Sequence, residues 1–444
     1  MLITQGPQHN GKASKRLHVM AKPIGAACNI DCTYCYYLSK QDLLEYKKGC
    51  SPVMDEDTLE TYIRQYIEGQ NTPEIIFSWQ GGEPTMLGVG YFRKVVELQK
   101  KYKPADVIIS NDLQTNGTLL NDEWCEFLAE NNFLVGLSID GPEMLHNAYR
   151  TNRAGRGTFK QVMAAVELLH KHNVNFATLT CVNNLTSKNP LEVYRFLRDE
   201  VRSPQIQFIP IVEQKTFRTT APQKWNPHEQ LRQGDKRLNP WHKNSVVEPW
   251  CVSAEGWGDF LIAVFDEWVQ HDIGKVFVQY FEASVETWMG RKNPLCTLGE
   301  ICGKGLAMEP TGDVFTCDHY VYPDYRVGNI HHQKLDEMAY SEAQQKFGFA
   351  KSRTLTSQCQ QCDYKFACFG ECPKNRFIRT KEGEPGLNYL CAGWKKFFSH
   401  VDKAMALILR TTGHPVAHGK YSDARLNISM PKMSPRQPYF PTRF

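Results

Sequence analysis

"CNIDCTYCYY" spans residues 28–37 and sets three cysteines, Cys28, Cys32 and Cys35, at a three-residue and then a two-residue gap, ahead of two tyrosines. A structural zinc site or a fully protein-bound iron-sulfur cluster is normally closed by four protein ligands. Three thiols leave one position for something that is not protein. The stretch follows a β-rich run, "HVMAKP" at 18–23, so the thiols are expected in the loop at the carboxyl end of a strand.

Five further β-rich runs follow: "EIIFSW" (74–79), "DVIIS" (106–110), "FLVGLSI" (133–139), "FATLTCV" (176–182) and "IQFIPIV" (206–212). Helix-compatible stretches separate most of them, for example "FKQVMAAVELLHKH" at 159–172, whose apolar residues recur at helical spacing. Six strands alternating with helices predict a parallel α/β sheet. Spacing alone leaves an open doubly wound sheet and a partial barrel equally available. The loops after the second, third and fourth strands read "QGGEP", "QTNG" and "DGP". In parallel α/β folds such loops converge on one site.

Composition limits the partners. The chain has 444 residues, 41% of them hydrophobic and 23% charged, with 52 basic residues against 48 acidic. That balance, +4 overall, gives no basis for nucleic acid as a partner. No apolar run reaches the roughly 18 residues of a membrane span. The opening "MLITQGPQHNGKASKR" lacks the apolar core of a signal peptide, so a reducing cytoplasm is the expected compartment. There fifteen cysteines read as metal ligands or free thiols rather than disulfides. Cys50, Cys125, Cys181 and Cys251 stand alone and read as plain thiols.

"CNIDCTYC" followed by "GGEP" (81–84) resembles the radical S-adenosylmethionine superfamily. The resemblance implies a partial (β/α)6 TIM-like barrel. It also implies a [4Fe-4S] cluster on Cys28, Cys32 and Cys35, with S-adenosylmethionine on the open iron. It places Gly81, Gly82 and Glu83 at the methionine amino group, Asn116, Ser138 and Asp140 along the nucleoside and methionine portion, and Arg150 at the methionine carboxylate. Glycines there would let backbone approach a ligand without a Cβ in the way. On the residues alone, "TNG" and "DGP" are also ordinary turns, and a zinc site completed by a distant ligand remains the competing reading of the triplet.

Eight more cysteines crowd the last third: Cys296, Cys302, Cys317, Cys359, Cys362, Cys368, Cys372 and Cys391. Eight thiolates match two fully ligated four-iron clusters. Their order is similar to the SPASM extension of radical enzymes that modify peptides. That likeness implies one auxiliary cluster on Cys296, Cys302, Cys317 and Cys372 and another on Cys359, Cys362, Cys368 and Cys391, three [4Fe-4S] clusters in all. A zinc ribbon around "CQQC" is the alternative.

"CDHY" (317–320) brings the resemblance closer, to anaerobic sulfatase-maturating enzymes, which convert a cysteine or serine to Cα-formylglycine by a 5′-deoxyadenosyl radical mechanism. It implies Asp318 as the base and Tyr37 and Gln80 as residues facing the substrate. The implied partners are a sulfatase polypeptide or its nascent chain and a flavodoxin- or ferredoxin-type electron donor. A carboxylate next to a cluster ligand can take a proton while the cluster takes an electron; His319 competes for that role. Thioether or carbon-carbon crosslinking of another peptide is the alternative activity, and a non-enzymatic iron-sulfur or zinc protein the alternative class. The expected layout is an N-terminal extension (1–16), the barrel (17–250), linking helices and the SPASM domain (251–410), and a tail (411–444). The aromatic helix at 256–271 reads as core, His331 and His332 as surface residues, and the polar stretch 213–250 as a linker.

Overall fold

The computed structural model describes residues 15–44, 46 and 52–422, with the backbone of two short strands at 8–9 and 12–13. Cys50, most of the N-terminal extension and the tail beyond residue 422 lie outside the described residues.

The six runs form β1 (His18–Ala21), β2 (Glu74–Trp79), β3 (Ile108–Thr115), β4 (Leu134–Ser138), β5 (Phe176–Val182) and β6 (Gln205–Pro210). They are parallel and lie side by side in chain order. A doubly wound sheet reverses its strand order at a switch point. Here the order never reverses, which is the winding of a barrel. β3 runs five residues past its apolar stretch because its polar residues find partners inside the fold. Buried Asn111 accepts from Trp79 Nε1 at 2.9 Å and from Gln99 Nε2 at 2.8 Å.

The covering helices follow the 3.6-residue period. In α1 (Glu56–Glu68) the buried face is Leu59, Tyr62, Ile63, Tyr66 and Ile67, and Asp55 caps the first turn by accepting from Thr58 N. α2 (Gly88–Tyr102) and α3 (Asp122–Glu130) pack alongside it, and α4 (Phe159–Lys171) buries Val162, Ala165, Val166 and Leu169.

The sheet does not stop at residue 250. β7 (Phe277–Val278) adds parallel to β6. On the opposite edge β8 (Gly305–Met308) runs parallel to β1, pairing Gly305 with His18 through Met308 with Ala21. β9 (Asp313–Phe315) and β10 (Arg326–Asn329) continue it antiparallel, giving ten strands. Cys317 and Asp318 follow β9, and the Asp318 carboxylate pairs with Lys22, the residue that follows β1.

The aromatic stretch 256–271 lies in α5 (Ala254–His271), which buries Trp257, Phe260, Leu261, Val264, Phe265 and Trp268. α5 crosses α7 (Cys391–Thr411), with α6 (Gln279–Trp288) beside them. The crossing is close enough to require glycine, since a Cβ on Gly393 would stand 2.0 Å from Ala254 O. The stretch 213–250 has only single 3-10 turns, yet it is strapped down. Pro222 O accepts from Tyr325 Oη at 3.0 Å, Leu238 O from Tyr389 Oη at 2.9 Å, and Gln233 N donates to Arg379 O at 2.8 Å. His331 and His332 are exposed, His331 within 3.0 Å of Thr58 Oγ1.

Candidate active site

The loop after β1 carries the three cysteines. Its residues Ile30–Cys32 form an antiparallel ladder with Arg150–Asn152 that sets Cys32 opposite Arg150. Cys28 and Cys32 are buried and Cys35 half-buried, close enough for each thiol to feel its neighbours' charge. Burial pushes the Cys28 thiol up to about 11 and the Cys32 thiol higher still. A bound cation supplies the positive charge such a site needs to hold thiolates.

Gly82 packs against this loop rather than standing clear of it. Its N–H donates to Gly25 O at 2.7 Å, and a Cβ there would lie 1.7 Å from Ala27 O. Gly81 adopts φ +127° beside it. Glu83 is fully buried, with its carboxylate used by the chain: it accepts from Asn116 N at 2.7 Å, Thr115 Oγ1 at 2.7 Å and Thr85 Oγ1 at 2.6 Å. Burial raises its pKa and these donors oppose the rise. Glu83 thus ties the loop after β2 to the loop after β3.

Asn116 Nδ2 reaches Cys28 Sγ at 3.7 Å and Asn29 Oδ1 at 2.9 Å. Asp140 is buried, accepts from Cys181 N at 2.9 Å and Tyr34 Oη, and pairs with Arg150 Nε at 3.0 Å. Arg150 also lies 3.7 Å from Cys181 Sγ and 4.0 Å from Cys32 Sγ. Ser138 accepts from Gln114 Nε2 at 2.9 Å on the face of the sheet that lines the barrel. Gly82, Glu83, Asn116 and Asp140, at the ends of β2 to β4, therefore contact the segment that carries the cysteines, whereas Ser138 bonds within the sheet.

Asp318 sits where this site meets the C-terminal third. Its carboxylate is nearly buried, 2.5 Å from Lys22 Nζ, and accepts from Tyr36 Oη. Burial pushes its pKa up, but Lys22, then His319, outweigh it and hold it below the usual carboxylate range. Gln80 lies 3.4 Å from Lys22 Nζ. Tyr37 does not meet Asp318: its hydroxyl bonds Glu309, a buried carboxyl that desolvation raises to about 7. Lys374 pairs with Glu213 at 2.7 Å in the same cluster. Tyr36, Lys22, Lys374, Glu213 and Glu309 carry no motif. Only Cys35, next to Tyr36, and Cys372, two residues before Lys374, hinted at any of them.

The remaining cysteines fall into two groups. Cys296, Cys302, Cys317 and Cys372 act on one another electrostatically. Cys359, Cys362, Cys368 and Cys391 line one cavity. Cys368 and Cys372 are four residues apart yet belong to different groups. Phe369, Gly370 and Glu371 between them all have positive φ, 43°, 68° and 50°. Arg376, buried, pins this turn by donating to Phe369 O at 2.7 Å, Gly370 O at 3.0 Å and Glu371 O at 3.2 Å. Among the described residues no three Cys, His, Asp or Glu side chains converge as a single metal ion requires. Thiols spread around a cavity suit a multi-iron cluster.

A sequentially wound parallel sheet, a cysteine triplet at the end of its first strand and two further cysteine groups define a radical S-adenosylmethionine protein with an iron-sulfur extension. The family model of the radical SAM superfamily matches residues 23–197, and that of an iron-sulfur cluster-binding domain, SPASM, matches 296–363. The chain is 46% identical over 388 residues to a serine-type anaerobic sulfatase-maturating enzyme of Bacteroides thetaiotaomicron, covering 87% of this chain and 90% of that one. It is 30% identical to a cysteine-type enzyme of Clostridium perfringens, covering 86% and 96%. A solved structure described as native anSMEcpe with bound AdoMet and Kp18Cys peptide superposes with a TM-score of 0.74 at 28% identity, covering 89% and 99%. The chain belongs to the family of anaerobic sulfatase-maturating enzymes.

Proposed function

We propose that this chain oxidises a cysteine or serine of a sulfatase polypeptide to Cα-formylglycine, with Asp318 taking the proton of the target thiol or hydroxyl. The observation that carries the reading is a buried carboxylate held by Lys22 and Tyr36 beside Cys317, in a chain 46% identical to a serine-type enzyme of this family. S-Adenosylmethionine and three [4Fe-4S] clusters are the cofactors. Cys28, Cys32 and Cys35 would hold one cluster, Cys296, Cys302, Cys317 and Cys372 the second, and Cys359, Cys362, Cys368 and Cys391 the third. When bound, these groups supply one-electron chemistry: removal of a hydrogen atom from the target Cβ and acceptance of one electron.

The chain's own residues handle the proton and the geometry. Loss of the hydrogen atom, one electron and the Oγ proton turns serine into the aldehyde. Cysteine gives a thioaldehyde, which water hydrolyses. Asp318 is a carboxylate before the step, because the facing ammonium of Lys22 favours its charged form. Tyr36 fixes one carboxylate oxygen and Lys22 the other, which sets the orientation of the group. Asn116, Ser138, Asp140 and Arg150 surround the cofactor position, and Gln80 and Tyr37 flank the target.

The higher identity to the serine-type relative than to the cysteine-type relative, 46% against 30%, favours serine as the target to test first. The electron donor is a flavodoxin- or ferredoxin-type protein and the compartment is the cytoplasm. No helix of the described residues is long and apolar enough to cross a membrane. The test is mass spectrometry of a sulfatase peptide with Ser or Cys in a C/S-x-P/A-x-R context, incubated anaerobically with loaded protein, S-adenosylmethionine and reductant. The expected result is the aldehyde. Formation of 5′-deoxyadenosine with the peptide unchanged would assign the chain another target.

A further inference from the structure

Three described lysines are fully buried, and two of them have obvious partners. Lys22 pairs with Asp318, and Lys351 donates to Cys296 O and Thr297 O, each at 2.7 Å. Lys40, 1% exposed, has among the described residues neither a carboxylate in ion-pair range nor a hydrogen-bond acceptor; its ammonium rests on the ring of Tyr322, 3.3 Å from the centroid. A cation on a ring face keeps its charge partly compensated but leaves N–H donors unused. An ammonium drawn this far out of water without an acceptor bears part of its desolvation cost.

The surroundings say what would satisfy it. Tyr322 walls a small cleft shared with Tyr36, Glu213, Phe217, His319 and Lys374. Lys374 and Glu213 line it, and Lys22, Lys40, Asp318 and Glu309 belong to the same charged cluster around it. Lys22 matches Asp318 and Lys374 matches Glu213. Lys40 and Glu309 are left, and Glu309 is satisfied by the hydroxyls of Tyr37 and Tyr46. The charges already cancel, so a further carboxylate would leave the cluster with excess negative charge. A neutral oxygen fits. Burial also holds the Lys40 amine down to about 7, with Glu213 pulling it up, as expected of an ammonium lacking an acceptor.

We infer that Lys40 is a substrate-binding residue that donates to a neutral oxygen of the bound polypeptide, a main-chain carbonyl beside the target or the target hydroxyl. The inference rests on the sulfatase reading above, which supplies the polypeptide. A four-carbon stem lets the ammonium swing off the ring of Tyr322 toward an oxygen entering the cavity. The lysine is then a group whose cost in the free enzyme is recovered when the substrate arrives.

The test is Lys40→Met, which keeps the length and removes the charge. Peptide affinity is measured with the cluster-loaded full chain and S-adenosylmethionine, using short sulfatase peptides with Ser, Cys or Ala at the target, alongside the melting temperature without peptide. The two readouts should move in opposite directions. Affinity falls about ten- to hundredfold, while the peptide-free Tm rises by about 1–5 °C because an unpartnered buried charge is gone. A loss equal for all three peptides assigns the carbonyl; a loss confined to the Ser peptide assigns the hydroxyl. Unchanged affinity overturns the inference, as does weaker binding with a lowered Tm, the mark of a merely structural lysine. A wild-type chain that binds none of the peptides refutes the sulfatase reading itself.

Discussion

Replacing Asp318 by asparagine separates its chemical role from its structural one. Asparagine keeps the shape and a hydrogen-bond acceptor for Tyr36, but it cannot take a proton. It also leaves Lys22, 2% exposed, without its ion pair at 2.5 Å. Loss of the proton acceptor is worth about 10²–10⁴ in rate. Breaking a buried pair from one side costs about 3–5 kcal/mol. With unfolding entropy near 2.1 cal/mol/K per residue over roughly 400 residues, that is a drop in Tm of about 5 °C. Adding Lys22→Met removes the stranded cation, so the double variant should regain most of the Tm and none of the product. The assay follows formylglycine by mass spectrometry and 5′-deoxyadenosine by chromatography in the same anaerobic reaction. Aldehyde formation within tenfold of wild type in Asp318→Asn would refute the assignment of the proton to this carboxylate.

Three other variants probe the scaffold. Gly82→Ala drives a Cβ into Ala27 O at 1.7 Å, and S-adenosylmethionine cleavage should vanish while the two auxiliary clusters, about eight irons, persist; normal cleavage would show that the glycine contact is dispensable. Arg376→Ala frees the carbonyls of Phe369, Gly370 and Glu371, so iron should fall from about twelve per chain toward about four; retention of twelve would contradict a pinned turn between the two cysteine groups. Asp112, bonded to Ser78 Oγ at 2.6 Å, is raised by burial to about 6. Between its ordinary value near 4 and about 6 the folded state holds a proton that the unfolded state has lost, so stability falls as pH rises through that window. Asp112→Asn should flatten this slope in denaturation measured from pH 4 to 7, and an unchanged slope would place the titration elsewhere.

The parts legible in the sequence were those with local signals. The six parallel strands announced themselves as apolar β-rich runs, and their loops carried the cysteine, glycine and asparagine signatures. The edge β8 to β10 did not, because "GLAM" is four residues long and its partner is β1, where Gly305 pairs with His18. Periodicity cannot show a pairing across that separation. Spacing gave the number of auxiliary thiols but not their partition, which depends on three positive-φ residues that let Cys368 and Cys372 face different ways. Adjacent tyrosines were indistinguishable on paper, yet Tyr36 meets Asp318 and Tyr37 meets Glu309. Lys22, Lys40, Lys374 and Glu213 are isolated charges whose meaning exists only once the edge strands close against β1.

Formylglycine formation requires that this chain remove a hydrogen from the Cβ of a sulfatase residue and oxidise that carbon to an aldehyde. A sulfatase peptide deuterated at the target Cβ, incubated anaerobically with the loaded enzyme and S-adenosylmethionine, tests it directly. One deuterium is expected in the 5′-deoxyadenosine for each aldehyde formed. Unlabelled 5′-deoxyadenosine beside an intact peptide would contradict it.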